Sequence, residues 1–501
     1  MVGSLFHRSE IIACPWIKFS PSSTATHLDH RPSAMAPSHP SWVLLSTLVD
    51  RLHALPRRNN NEPWPASQWA AIKCNATRAS TANDERRAIV DAVTLLALIV
   101  EPPAVSALAI CLRSEQYVFD AFTNQPVANV VAADDRIVVL DAKFRCRHSN
   151  DDPHRFLVYD AFDASLAMVP PVCEWVCTPI ITADPLPVRR RDDAGGYALA
   201  IMARHHLHDT KARREFSLEV LCLWPPPPYS RMFQGSVSPW GFKQPLFPPE
   251  KPKNLWAHTA FTFQGRAYWA DLGQGLLSCD SDDLLYGRHE VPFSFVPLPP
   301  ECRVCQLCSN IDHKGSRAMT CCPATVHGGS DSIKLVCIGK GRGFEACDVC
   351  GDFESTLDMA LASWALDIAT GQWRRDDGGE DLRVASLWQM ESFKTAGLPR
   401  VRPILPILIP QKDDGGDVLC FTLQAGDAGP VHLCRLNMRT KTLLPPHGLL
   451  DEWTPSLLGC DLFKHIEFAT TPDNNEEEEM EVLAPKRRRR RRKRKRMKIC
   501  P

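Results

Sequence analysis

The stretch Ala260–Pro300, AFTFQGRAYWADLGQGLLSCDSDDLLYGRHEVPFSFVPLPP, decides how the rest of the sequence is read. Ala260–Phe263 is a short apolar run that stops at Gln264-Gly265, and Ala267–Asp271 stops at Gly273-Gln274-Gly275. Leu276–Asp280 gives way to a polar loop, and Phe293–Leu298 ends at two prolines. Short apolar runs broken by glycine turns make an antiparallel meander. Four consecutive antiparallel strands are one propeller blade. The sequence therefore reads as all-β and β-propeller-like, with irregular four-stranded blades and loop insertions.

Working outward, the same pattern returns in weaker form: a strand ending in Asp or Asn, a short turn, then a strand that often ends at proline. Gln116–Asp120 precedes Pro126–Val131, and Phe156–Asp160 precedes Leu166–Pro171. Ser363–Asp367 precedes Gly371–Arg374, and Leu433–Asn437 precedes Thr442–Pro446. Ser217–Pro228 is a divergent copy with Leu223-Trp224 in place of the acid. An Asp or Asn at a strand end bonds its own backbone and starts the turn, while proline blunts an outer edge. Positions 120, 160, 224, 280, 367 and 437 are spaced by 40, 64, 56, 87 and 70 residues. Known blade repeats run about 40–50 residues, so the repeat needs inserted loops. A sandwich or other all-β arrangement yields the same Asp-turn-Pro pattern and is the alternative.

Composition bounds the rest. The 501 residues are 44% apolar and 8% aromatic, enough for a sizeable core. Forty-two prolines argue against a mostly helical chain. The formal charge of zero is a cancellation, because Lys486–Lys498 holds twelve Lys or Arg in thirteen positions. Without those twelve, 46 basic residues face 58 acidic ones, so no basic face is implied for the folded body. The longest largely apolar run, Ala92–Val100, is nine residues, against about twenty for a membrane span. No secretory signal pattern opens the chain, so the 20 cysteines read most simply as reduced, packed thiols.

Three parts follow from this. Residues 1–40, rich in Ser, Thr, His and Pro, read as disordered, a transit peptide being the functional alternative. Residues 41–470 read as the propeller-like domain, opening on the strand Ser41–Leu45 and carrying a Cys-rich insertion at about 301–351. Within it Asp84–Val100 suits a helix or a strand, with strand preferred from about Val93 onward. Residues 471–501 read as a solvated tail, acidic and then basic.

SWVLL at Ser41–Leu45, EPPAVS at Glu101–Ser106, YWADLGQGLLSCD at Tyr268–Asp280 and FVPLPP at Phe295–Pro300 resemble the plant domain-of-unknown-function family 1618. WALDIATGQWRRD at Trp364–Asp376 is similar to that family's following strand pair. The resemblance implies a plant origin and a fold similar to the kelch-like domains beside F-boxes, and no reaction. No F-box pattern precedes Ser41 or occupies Trp42–Ala82, and the Cys-rich segment and basic tail depart from the family pattern.

Few residues point to chemistry. Cys302, Cys305, Cys308, Cys321, Cys322, Cys337, Cys347 and Cys350 cluster with His313 and His327. The pairs Cys302-x-x-Cys305 and Cys347-x-x-Cys350 have the spacing that lets two thiolates reach one tetrahedral zinc. The 41 residues between the pairs exceed the usual interval of about 15–20, so free cysteines on strands are the competing reading. His205, His206, His208 and Asp209 sit between two strand-like runs and read as a polar hairpin tip. Trp42, Trp269, Trp364 and Trp373 read as packing residues. No GxSxG elbow, HExxH, P-loop or strand-linked GxGxxG occurs. The basic run Lys486, Arg487, Arg488, Arg489, Arg490, Arg491, Arg492, Lys493, Arg494, Lys495 and Arg496 is what an import receptor reads, and it also suits phosphate backbones. The expectation is a non-enzymatic interaction protein with an unidentified protein partner and a nuclear-targeting tail. The alternative is a zinc- or nucleic-acid-associated nuclear factor.

Overall fold

Thr259–Phe263, Arg266–Asp271, Gly275–Asp280 and Ser294–Pro297 form a four-stranded antiparallel sheet in chain order. Gln264 and Gly265, with φ of 49° and 71°, make the two-residue turn that joins the first pair. Positive φ at both central residues matches the strand twist, which is why glycine follows glutamine there. The expected polar loop after Asp280 begins as a short helix, Ser281–Leu285, because the Asp280 carboxylate accepts from Asp282 N–H at 2.8 Å and caps it.

The computed structural model describes residues 42–52, 69–79, 84–102, 104–112, 117–119, 128–134, 136–146, 154–169, 172, 177–179, 185–190, 196–209, 214–227, 231–232, 240–253, 255–304, 313–323, 331–340, 359–376, 381–410, 416–426, 429–450 and 457–469. All fall within the unit His39–Pro501. The expected disordered segment 1–40 and the tail 471–501 lie outside the described residues.

Among the described residues the strands make five sheets, the largest an eleven-stranded one in two halves joined by a single ladder pair; counting its halves as a first and a second sheet, the meander is the fourth of six. The first runs Leu457–Cys460, Val43–Leu52, Val105–Leu112, Val93–Leu98 and Ala70–Ala71. The second runs Ala128–Asp134, Ile137–Cys146, His154–Asp160, Ser165–Val169 and Ala76–Ala79, and one ladder pair, Leu48 with Asn129, links it to the first. The third is built on the hairpin Tyr197–Asp209 and Arg214–Trp224, with Leu186–Arg189 on one side and Gly241–Leu246 on the other. The fifth holds Arg317–Cys322, Ser332–Lys340, Met359–Asp367 and Gln372–Arg375. The sixth holds Ile404–Ile409, Val418–Gln424, Val431–Asn437 and Thr442–Leu450. The all-β expectation holds.

Alternate side chains of a strand face opposite ways, and here both faces are buried. Leu199, Ile201 and Ala203 pack with the second sheet, while Ala198, Ala200 and Met202 pack with the fourth. Trp269 joins the core shared with the third sheet, and its neighbours Tyr268 and Ala270 join the core shared with the fifth. Separate clusters unite the first and second sheets, the fifth and sixth, and finally the sixth and first. The order of shared cores is therefore cyclic. Short helices enrich alternate junctions. Ile89 and Val90 of Asp84–Ala92 enter the first, Leu284 and Leu285 the third, and Leu387, Trp388 and Phe393 of Val384–Gln389 and Glu391–Thr395 the fifth.

The strand-end acids act as expected. Asp160 Oδ1 accepts from Phe162 N–H at 2.9 Å, and Asp367 Oδ1 accepts from Ala369 N–H at 3.0 Å. Asn437 Oδ1 accepts from Thr440 N–H at 2.8 Å. Asp120 lies outside the described residues. One expected pairing is corrected: Tyr117–Phe119 pairs with residues 144–146 of the strand Ile137–Cys146, whose residues 137–142 take Ala128–Asp134, so the two segments share a partner strand instead of pairing with each other. At the fifth junction Lys334 Nζ lies 2.7 Å from Asp376 Oδ2 and 2.6 Å from Asp417 Oδ2. Burial opposes its charge, but the two carboxylates hold its pKa above the ordinary lysine value. Lys334→Met leaves two half-buried carboxylates facing each other and is expected to cost roughly 1–3 kcal/mol in denaturant unfolding.

Candidate functional site

Residues from each of these sheets line a cavity of about 600 Å³. Its wall takes Leu457–Asp461 and Thr47 from the first sheet, Val131–Asp134 from the second and Pro187 from the third. Thr259–Phe263, Arg317–Cys321 and Leu405–Leu408 complete it from the fourth, fifth and sixth. Prolines 185, 187, 323, 406 and 410 stand on this wall. A proline offers no N–H to a further strand, so it keeps an inner edge closed to pairing.

Three wall segments depart from regular ladder register. The pairing shifts between Leu45 and Val49, between Val130 and Ala132, and between Ile404 and Ile407. Each shift falls on wall residues, namely Thr47, Val131, and Leu405 with Pro406. Leu405 also takes a φ of 52°, held by its N–H bond to Gly315 O at 2.9 Å. A branched side chain in that region costs about 1–2 kcal/mol, and bulges re-aim side chains at barrel rims and sites.

Asp134, Arg317 and Asp461, three of the four charged residues on the wall, bond within the protein, and the fourth, Lys314, is exposed. Asp134 Oδ2 accepts from Thr262 Oγ1 at 2.5 Å, which ties the second sheet to the fourth. Arg317, only 2% exposed, donates through Nη1 to Leu272 O at 2.7 Å and to Cys302 O. Asp461 pairs with Lys464. The Cys321 thiol is pushed well above its ordinary pKa, by burial first and by Asp134 second, so it stays neutral.

Behind the wall lies a buried polar cluster set by the YWADLG motif. Asp271, fully buried, accepts from Gly273 N–H at 2.8 Å and from Trp256 N–H at 2.7 Å. Burial raises its carboxyl to about 6, opposed by those two bonds and by Arg317 among others. His258 Nδ1 accepts from Leu272 N–H at 3.1 Å, and its ring lies 5.3 Å from that of His313. The arrangement fixes the turn that leads into Gly275. Sequence reading took Asp271 only as a strand end; the Gly273-Gln274-Gly275 turn two residues on was the available signal.

Of the sequence-derived candidates some are placed and the others lie outside the described residues. Cys302 is buried in the core between the fourth and fifth sheets, its Sγ 3.8 Å from Cys337 Sγ, and burial pushes its thiol far up. Cys305, Cys347 and Cys350 lie outside the described residues, as do Lys486–Arg496. Among the described residues no cluster of three His, Cys, Asp or Glu could hold a metal, and no helix is long and apolar enough to cross a membrane. His205, His206, His208 and Asp209 end the strand Tyr197–Asp209, whose last pair is Asp209 with Arg214, so they do stand at a hairpin end. Trp269 and Trp364 are buried between sheets. Trp373 Nε1 donates to Pro297 O at 2.9 Å and fastens the fifth sheet to the fourth. Trp42 packs at the junction of the sixth and first sheets and reaches the cavity wall.

Residues 269–420 match the family model described as protein of unknown function (DUF1618), from the second strand of the fourth sheet to that of the sixth. No curated protein matches the chain. Among solved structures it is similar to the Bombyx mori GH32 beta-fructofuranosidase BmSUC1, free and as a mutant in complex with sucrose. Both align at 11% identity and a TM-score of 0.26, over 64% of this chain and 62% of that one. A post-proline cleaving enzyme from Rickettsia typhi aligns at 8% identity and 0.22, over 63% of this chain and 35% of the other. The chain thus spans less than two thirds of the length of these structures.

Proposed function

We propose that this chain, whose residues 269–420 carry the family 1618 domain, is a non-enzymatic interaction protein built as a six-bladed propeller. The cyclic order of shared cores supports that reading. Such a frame holds the segments between strands in fixed relation, which suits display to a protein partner. Its basic run Lys486–Lys498 directs it to the nucleus through an import receptor. Affinity for nucleic acid through the same run is an accompanying property.

Two measurements test this. A fluorescent reporter fused to residues 482–501 is expected to accumulate in nuclei, and a cytoplasmic signal would remove the targeting claim. Tagged full-length chain recovered from cells is expected to carry a protein partner in near-equal amount, retained after the tail is deleted. Recovery of nucleic acid alone, lost with the tail and at raised salt, would replace this reading with the nucleic-acid one.

A further inference from the structure

We infer that the central cavity is a binding site for one neutral, largely apolar small molecule with an aromatic-sized body. The proposal stands apart from the partner reading and rests on the wall alone. The volume of about 600 Å³ falls in the range of small-molecule sites, about 300–1,000 Å³, and is too small for a folded partner. Trp42, Phe261, Phe263, Met319, Leu405 and Ile407 supply apolar surface, and each is only half-buried, with area left for a ligand to cover.

Neutrality follows from the charges. Asp134, Arg317 and Asp461 bond to Thr262, to backbone carbonyls and to Lys464 respectively, and Lys314, the other charged wall residue, is exposed, where water holds its charge. An ionic group placed deeper on the wall would have to break one of these bonds or enter unpaired, and an unpaired charge in such surroundings is expelled. The hydroxyls of Thr259 and Thr320 on the wall suit a single hydroxyl or carbonyl on the ligand.

An independent observation points the same way. Three of the four ladder shifts among the described residues, and one of their four non-glycine residues with positive φ, fall on wall segments. A frame that served only to close six sheets would gain stability from regular inner strands. Irregularities gathered on one concave surface are the mark of a shaped site.

The test titrates the full-length protein with N-phenylnaphthylamine, a neutral fluorescent probe, and with anilinonaphthalene sulfonate, the same skeleton bearing a charge. One saturable site per chain is expected for the neutral probe, with the sulfonate at least about tenfold weaker. Met319→Glu, which sets a charge in the wall, and Thr320→Trp, which fills the cavity, should each abolish binding. Phe162→Ser, which removes an exposed ring outside the cavity, should leave it unchanged. Circular dichroism melting of each variant separates lost binding from lost folding, and Thr320→Trp serves if Met319→Glu fails to fold. No saturable binding, equal binding of the two probes, or binding untouched by a folded wall variant would overturn the proposal.

Discussion

Gly459→Val is expected to remove about 3 kcal/mol of folding stability, close to the upper end for overpacked sites. A Cβ on Gly459 would stand 2.1 Å and 2.2 Å from two ring carbons of Trp42, and 3.3 Å from Ile407 Cγ2. The indole packs against the small cluster around Leu44, Cys420 and Leu433, so making room for a Cβ shifts it against that cluster. Denaturant unfolding followed by tryptophan fluorescence measures the loss. The double variant with Trp42→Ala should recover at least about 1 kcal/mol of it, since residues in contact couple by that much. Strictly additive losses would show that the glycine is not there for the indole.

Asp271→Ala is expected to cost about 2–4 kcal/mol, because two N–H groups, on half-buried Trp256 and buried Gly273, lose their acceptor together. Asp271→Asn retains one acceptor oxygen and should cost less. The carboxyl also gives the effect a pH signature. Its folded pKa of about 6 lies above the ordinary 3.8, so the folded state holds the proton more tightly than the unfolded chain. The penalty for burying its charge is absent below the lower value and fully present above the upper one. Wild-type stability, measured against Asp271→Asn in the same buffers, should therefore rise as pH falls from about 6 toward about 4. A flat difference across that window would mean that the carboxyl is not desolvated as its burial implies.

The parts of the fold that were legible are those whose cause is local. Gln264-Gly265 announces its hairpin because only a few residue pairs accept two positive φ angles. Asp160, Asp367 and Asn437 announce their turns because the side chain bonds a backbone group two or three residues on. The break at Val93 shows where Asp84–Ala92 ends and the strand Val93–Leu98 begins. What stayed hidden is set by distant partners. Lys334 gives no sign that Asp376 and Asp417 will flank it. Tyr117–Phe119 looked like the mate of the next apolar run, and nothing local marks that both would pair with the strand after it, Ile137–Cys146. The cavity has no motif at all, since six separate segments contribute a few residues each, most of them ordinary strand formers. Asp271 was half-legible: the glycine turn beside it was visible, but not that its carboxylate would be sealed away from water.

Val43 pairs with Cys460, so the earliest strand described completes its sheet with one of the last. A ribosome delivering this chain exposes the inner edge of the opening sheet long before the covering strand exists. Throughout that interval the nascent polypeptide carries an unpaired ladder beside apolar side chains, the kind of surface that chaperones hold and that otherwise recruits neighbouring chains. A premature stop just upstream of Leu457 would make the condition permanent, turning a loss of a few dozen residues into a product that clumps rather than one that is merely shortened.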